Sequence, residues 1–220
     1  MKYSAAAILA SSASAAASSA DVGKRTSGSF DLYVFATSWQ PEFCHSQSFP
    51  GCKEPNSYWS ETLTMHGLWP QYTNGTWPSD CTSEHFDEAA TDAVGMDTMN
   101  KVWPNVKQDP SDKDYDQFWT HEWTKHGTCS GISQKDYFQY AVDHFVEAPA
   151  MLKEAVGKTV DRDALIKAYG TVVAPICQGG KWLSEVLICK DKKTLENVDC
   201  VASVVKEGNC GASISVRAFE

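Results

Sequence analysis

Several signatures that would settle this chain's chemistry outright are missing from it. No apolar run approaches the ~20 residues that a membrane-spanning helix requires. None of the eight cysteines forms a Cys-x-x-Cys pair, so neither a zinc ribbon nor a thioredoxin-type redox centre has support. Gly-x-Ser-x-Gly does not occur, which removes the strand-turn-helix serine nucleophile. Positive charge is scarce, with 19 Lys and Arg against 28 Asp and Glu and a net charge of −9. That balance excludes the broad basic footprint of sequence-specific duplex binding, but not a local cleft that holds a few phosphates. There is no internal repeat and no linker, so the 220 residues form one domain.

What is present has the balance of a globular, exported protein: 42% hydrophobic and 21% charged residues. Residues 1–20 combine a basic start at Lys2, a short alanine-rich apolar stretch and small residues at 18–20, the layout of a secretory signal peptide. The domain proper is then 21–220. Cys44, Cys52, Cys81, Cys129, Cys177, Cys189, Cys200 and Cys210 all follow that segment. Their even number suggests a disulfide set made in an oxidising compartment. Asn74-Gly75-Thr76 is a glycosylation sequon, meaningful in a secreted chain.

Hydrophobic periodicity places the elements. Residues 30–39 are β-branched and aromatic and read as a largely buried strand ending at Pro41. Residues 63–68 read as a second strand, with His66 beside the Gly67 bend, and 71–83 as a long surface loop. Helices are expected over 84–102, 115–128, a segment through Phe145 and Val146 ending before Pro149, and 161–169. Asp161 is the N-cap candidate of the last helix and Gly170 its stop. Strands follow at 185–190, at 197–201 and around Ile214 and Val216. The order lacks a βαβα rhythm, so the fold class is α+β: a single domain with a central, largely antiparallel sheet packed against several helices.

Two segments carry the chemistry: His66-Gly67-Leu68-Trp69-Pro70 and Phe118-Trp119-Thr120-His121-Glu122-Trp123-Thr124-Lys125-His126-Gly127-Thr128-Cys129. On a helix, His121 and Lys125 share one edge, and Glu122 and His126 the adjacent edge, within contact reach of each other. A carboxylate favours the protonated imidazole and a lysine opposes it, which keeps a histidine titrating near the working pH. The His-Glu-x-x-His zinc motif is a tempting misreading. Here the histidines are five apart, about 140° around a helix instead of about 40°, and Lys125 repels a cation. No metal and no cofactor is expected. Aromatic Phe118, Trp119 and Trp123 serve core and pocket packing, whereas two histidines, a glutamate and a lysine within six residues exceed what packing needs. With His66 the set suits in-line displacement at phosphorus by RNA's own 2′-hydroxyl, which needs a base, an acid on the opposite side and cationic cover. His66 and His126 can form the acid–base pair, with His121 and Lys125 on phosphate.

These segments resemble the T2 family of acid ribonucleases, beginning one motif at Thr64-Met65-His66 and filling the other from Phe118 to Cys129. The similarity continues through Phe30-Asp31, Trp39, Gly75 to Cys81, Trp103-Pro104, Pro175-Ile176-Cys177 and Cys210-Gly211. The resemblance implies cleavage of single-stranded RNA to a 2′,3′-cyclic phosphate and then a 3′-phosphate. It implies His66 as proton donor, His126 as base, His121 on phosphate, and Glu122 and Lys125 as stabilisers of the pentavalent phosphate. It also implies the pairs Cys44–Cys52, Cys81–Cys129, Cys177–Cys210 and Cys189–Cys200. Departures fall in base recognition: Gln71 and Tyr72 follow Trp-Pro, and Thr37 stands where plant-like members often carry Gln. Trp69, Trp77 and Gln71 remain candidates for base contact, and base preference stays open.

The expectation is therefore a monomeric endoribonuclease acting on single-stranded RNA, secreted or routed to a vacuole or lysosome, with no membrane and no obligate protein partner. The rival from another class is a secreted recognition, defence or storage protein on a ribonuclease scaffold. His45, His85 and His144 have no motif context and read as surface or structural residues.

Overall fold

Strand β1 (Leu32–Ser38) is buried almost throughout, and its alternation feeds two cores at once. Tyr33 and Phe35 point into the larger one, with Met65, Leu68, Trp103, Trp119, Trp123, Tyr137 and Phe138. Leu32, Val34 and Ala36 point into a smaller one, with Ala174, Leu187, Cys189 and Val204. A computed structural model of the chain describes residues 27–220. The signal peptide expected at 1–20 lies outside the described residues.

After β1 come α1 (Gln40–Phe43), α2 (Pro50–Lys53), β2 (Thr64–Gln71), α3 (Glu88–Val94), α4 (Met96–Val102), α5 (Gln117–Lys125) and α6 (Gln134–Asp143). They are followed by α7 (Ala150–Glu154), β3 (Thr159–Asp161), α8 (Arg162–Ala168), β4 (Ala174–Gln178), β5 (Trp182–Asp191), β6 (Asn197–Val198), α9 (Ala202–Val205) and β7 (Ser213–Ser215). Among the described residues the sheet runs β2-β1-β5-β7-β3, with β4 and β6 also paired to β5. Its pairings are antiparallel except the single β5–β7 contact. The expected α+β class, with one mixed and mostly antiparallel sheet under helices, is what the chain adopts.

Several boundaries differ from expectation, each for a local reason. The helix expected over 84–102 is two helices, because Gly95 at φ +101° is both the C-cap of α3 and the N-cap of α4. The helix expected over 115–128 stops at Lys125, and the chain tightens into a 3₁₀ turn over Gly127–Cys129. The third helix ends at Asp143 instead of reaching Val146. The strand expected at 197–201 shrinks to Asn197–Val198, whereas β2 extends to Gln71. Pro70 is tolerated in β2 because that strand lies at the sheet edge. Asp161 caps α8 as expected, accepting from the Ala164 amide at 2.8 Å. All four cysteine pairs implied by the resemblance are formed.

Candidate active site

The site begins with an irregularity in β2. Ala36 of β1 pairs with Gly67 and the next residue, Thr37, pairs with Met65, so His66 is an extra residue in the ladder. A bulge of this kind re-aims a side chain. It turns His66 toward Trp69, three residues on, where strict alternation would send the two to opposite faces. The ring centroids lie 5.0 Å apart, edge to face. The bulged backbone is held from outside the sheet: Trp103 Nε1 donates to the His66 carbonyl at 2.9 Å, and the Tyr137 hydroxyl to the Leu68 carbonyl at 2.9 Å.

Helix α5 supplies the second wall. Trp119 and Trp123 anchor its buried face, and Trp119 Nε1 bonds the Trp103 carbonyl at 2.9 Å. That anchoring leaves His121 exposed and carries Glu122 into the interior. Trp69 joins the two walls. Its ring stacks on His126 at 5.0 Å and 23°, and its Nε1 donates to Glu122 Oε2 at 2.8 Å. Gly67 makes this junction possible, since a Cβ there would lie 2.1 Å from both Glu122 Oε2 and Trp69 Nε1.

The Glu122–His126 contact expected from helical spacing is replaced by this tryptophan. His126 sits one residue beyond the helix, as its C-cap, and packs on Trp69 instead. The carboxylate partner belongs to the other histidine. Glu185 of β5, facing β2 across β1, places Oε1 3.3 Å from His66 Nδ1. Nothing in the motifs pointed to Glu185; only the register, which pairs Ser38 with both Thr64 and Glu185, reveals it.

The electrostatics separate the two imidazoles. Burial works against charge on His66, but the Glu185 bond, with the charge of Glu185 and that of Glu122 once ionised, outweighs it and raises its pKa. Burial lowers His126 to about 3, helped by the positive charges of Lys125, His121 and His66. His121 is also lowered, by burial and then by Lys125 and His66. Glu122 is raised to about 7 by burial, against the pull of His66, the Trp69 bond and Lys125. Among the described residues, Nδ1 of His126 is enclosed without a hydrogen-bond partner.

A cleft of about 480 Å³ opens beside these groups, walled by His66, Asn105, Phe118, His121, Glu122 and Glu185. Phe118 lies 5.8 Å from the His66 ring. The remaining binding candidates sit elsewhere. Gln71 is buried, five residues further along β2, with Nε2 3.5 Å from Glu207 Oε1. Trp77 is 54% exposed in the 71–83 loop, which Cys81–Cys129 ties to the turn after α5. Among the described residues no cluster of three His, Cys, Asp or Glu has metal-site geometry.

The ribonuclease T2 family model matches residues 30–200. Intracellular ribonuclease LX of Solanum lycopersicum is 31% identical over 212 residues, covering 88% of this chain and 86% of that protein. Ribonuclease 1 of Arabidopsis thaliana is 32% identical over 211 residues, covering 88% and 89%. Among solved structures, RNase NT in complex with 5′-AMP superposes with a TM-score of 0.69 at 30% identity, covering 86% of this chain and 99% of that one. Sequence and fold agree, and the chain belongs to the ribonuclease T2 family.

Proposed function

We propose that the protein is a secreted endoribonuclease that cleaves single-stranded RNA by acid–base transphosphorylation, without a metal ion. The observation that carries this reading is a pair of imidazoles packed on one tryptophan with opposite proton preferences, His66 toward the charged form and His126 toward the neutral one. In mild acid that is the state the reaction needs. His126 takes the proton from the 2′-hydroxyl; with Nδ1 enclosed, Nε2 is the nitrogen left for it. The 2′-oxygen bonds to phosphorus, the bond from phosphorus to the 5′-oxygen breaks, and His66 gives its proton to that leaving oxygen. Water then reverses the roles: His66 accepts its proton, and His126 returns one to the 2′-oxygen as the ring opens to a 3′-phosphate.

Glu122 is a neutral acid below its raised pKa of about 7, so it can donate a hydrogen bond to a phosphoryl oxygen as charge builds there. Lys125 and His121 add cationic cover and phosphate contact. DNA has no 2′-hydroxyl and is left intact by this mechanism. The cleft is lined by His66 and not by His126, which supports a site there for the nucleoside 3′ of the scissile phosphate. Trp77 is a base platform for the other side, by virtue of its exposed ring.

Routing through the secretory pathway is supported by the signal-like residues 1–20, by four disulfides, and by Asn74, exposed at a turn where its Oδ1 accepts from the Thr76 amide. A recognition or storage protein on this scaffold would be marked by loss of a catalytic histidine, and both are present. The test is digestion of single-stranded RNA at mildly acid pH with chelator present, scoring the ends. Cyclic and 3′-phosphate ends that disappear in His66→Ala support the reading. No cleavage by folded, disulfide-intact protein overturns it in favour of the binding-protein alternative.

A further inference from the structure

A second groove, of about 560 Å³, adjoins the cleft. Both share Ser38, Phe43, Lys107 and Glu185 as walls, and the second continues past them to His45, Phe49 and Gln178. Its floor is aromatic. The rings of Phe43 and Phe49 stack at 5.9 Å and 22°, and Phe43 remains 39% exposed, which a core role does not require. Exposed Lys107 places Nζ 5.9 Å from the Phe43 centroid. The pair is held in place by Cys44–Cys52, whose Cα atoms are 5.3 Å apart, and by the short helices α1 and α2 that flank it.

Charge in the groove does not oppose a phosphate as strongly as its composition suggests. Two carboxylates line it, and each already has a partner: Glu42 is ion-paired with Arg217, and Glu185 is bonded to His66. His45 has Glu220 at 3.3 Å. An aromatic pair with exposed Phe43 and half-buried Phe49 beside a lysine, in a groove continuous with a phosphate-handling centre, is the construction that holds a nucleotide by its base face and backbone.

We propose that this groove is a third nucleotide subsite, for the residue one step 3′ of the leaving nucleoside, with its base on the Phe43–Phe49 pair and its phosphate near Lys107. The inference rests on the ribonuclease reading, which fixes the direction: the first cleft receives the 3′ side because His66 protonates the leaving 5′-oxygen, and the second groove, which His126 does not line, continues from that cleft. The subsite grips longer single strands without touching the reacting atoms.

The test compares kcat/KM for a dinucleoside monophosphate, a trinucleotide extended at its 3′ end and one extended at its 5′ end, each added linkage following a 2′-deoxyribose so that only the original bond can be cleaved. It uses the unaltered protein, Phe49→Ala and Phe49→Tyr. The 3′ extension raises kcat/KM about tenfold, within the range that one base–aromatic stack supplies. Phe49→Ala loses that gain while cleaving the dinucleotide at the original rate, Phe49→Tyr keeps it, and any gain from the 5′ extension is untouched. No gain from the 3′ extension in the unaltered protein, a gain retained in Phe49→Ala, or an equal loss on all three substrates overturns the subsite. Failure to cleave any of them overturns the ribonuclease reading itself.

Discussion

Glu185 and Trp69 are the residues whose contacts set the two imidazoles apart, and on the proposed reading they separate an acid from a base. Glu185 Oε1, 3.3 Å from His66 Nδ1, holds the proton on that ring. Glu185→Gln therefore lowers the His66 pKa, and the alkaline limb of the pH–rate profile moves to lower pH while the acid limb, set by His126, stays near pH 3. A profile unchanged on its alkaline side would remove Glu185 from the mechanism. Trp69→Phe keeps a ring against His126 but removes the donor to Glu122; kcat falls about tenfold with KM little changed, as a lost buried hydrogen bond to an ionisable group predicts. Steady-state kinetics on a dinucleoside monophosphate checks it. At this scale the sequence located the cluster that the fold brings together with His66, because two histidines, a glutamate and a lysine in six residues stand out from a packing pattern. Glu185 was invisible for the opposite reason: a lone glutamate in an apolar strand acquires meaning only from the register that lays it opposite Ser38.

Elements decide where those residues point, and here periodicity was least informative. Alternation along β2 cannot anticipate that His66 is the extra residue of a bulge, since the bulge depends on pairing with β1 and on Trp103 bonding the His66 carbonyl. Trp103→Phe leaves that partly buried carbonyl without its donor and costs about 1 kcal/mol. A Tm drop of about 2–4 °C, accompanied by a loss in kcat, is expected from thermal melts and kinetics. Melting unchanged would assign the bulge to β1 alone. The helix over 115–128 was foreseen in place but not in length. Ending α5 at Lys125 moves His126 off the helical edge it would share with Glu122, and so lets Trp69 come between them. Gly67→Ala would put a methyl group 2.1 Å from both halves of that junction.

Across the whole molecule, the disulfides and the buried titrations set the working conditions. Cys81–Cys129 pins the Trp77 loop to the end of α5, whereas Cys44–Cys52 pins the Phe43–Phe49 wall and a small cluster with Trp59 and Val106. Double-serine replacement of the first pair is expected to reduce dinucleotide cleavage more than replacement of the second; equal rates would sink that ordering. The pairing itself was legible only through family resemblance, because eight cysteines permit 105 connectivities. Stability should also carry the signature of the site. His126 has a lowered pKa, so between pH 3 and 6.5 the unfolded chain binds a proton that the folded one refuses, and stability rises with pH. Glu122 has a raised pKa, so between 4.5 and 7 the folded chain binds the extra proton, and stability falls with pH. The two cancel between 4.5 and 6.5. These groups thus predict a plateau in mild acid, with a loss of about 2 kcal/mol on going from pH 4.5 to 3. Melts across that range check it, and His126→Gln should flatten the acid side.

The supports of the His66 bulge have a consequence for the sheet's margins. β2 is an outermost strand, the kind of margin on which a neighbouring chain could add a strand and begin an aggregate. Trp103 and Tyr137 occupy the carbonyls of His66 and Leu68, and Pro70 offers no amide. At the other margin β3 is only three residues long. The contacts that hold the His66 bulge therefore also deny the sheet a place from which to grow.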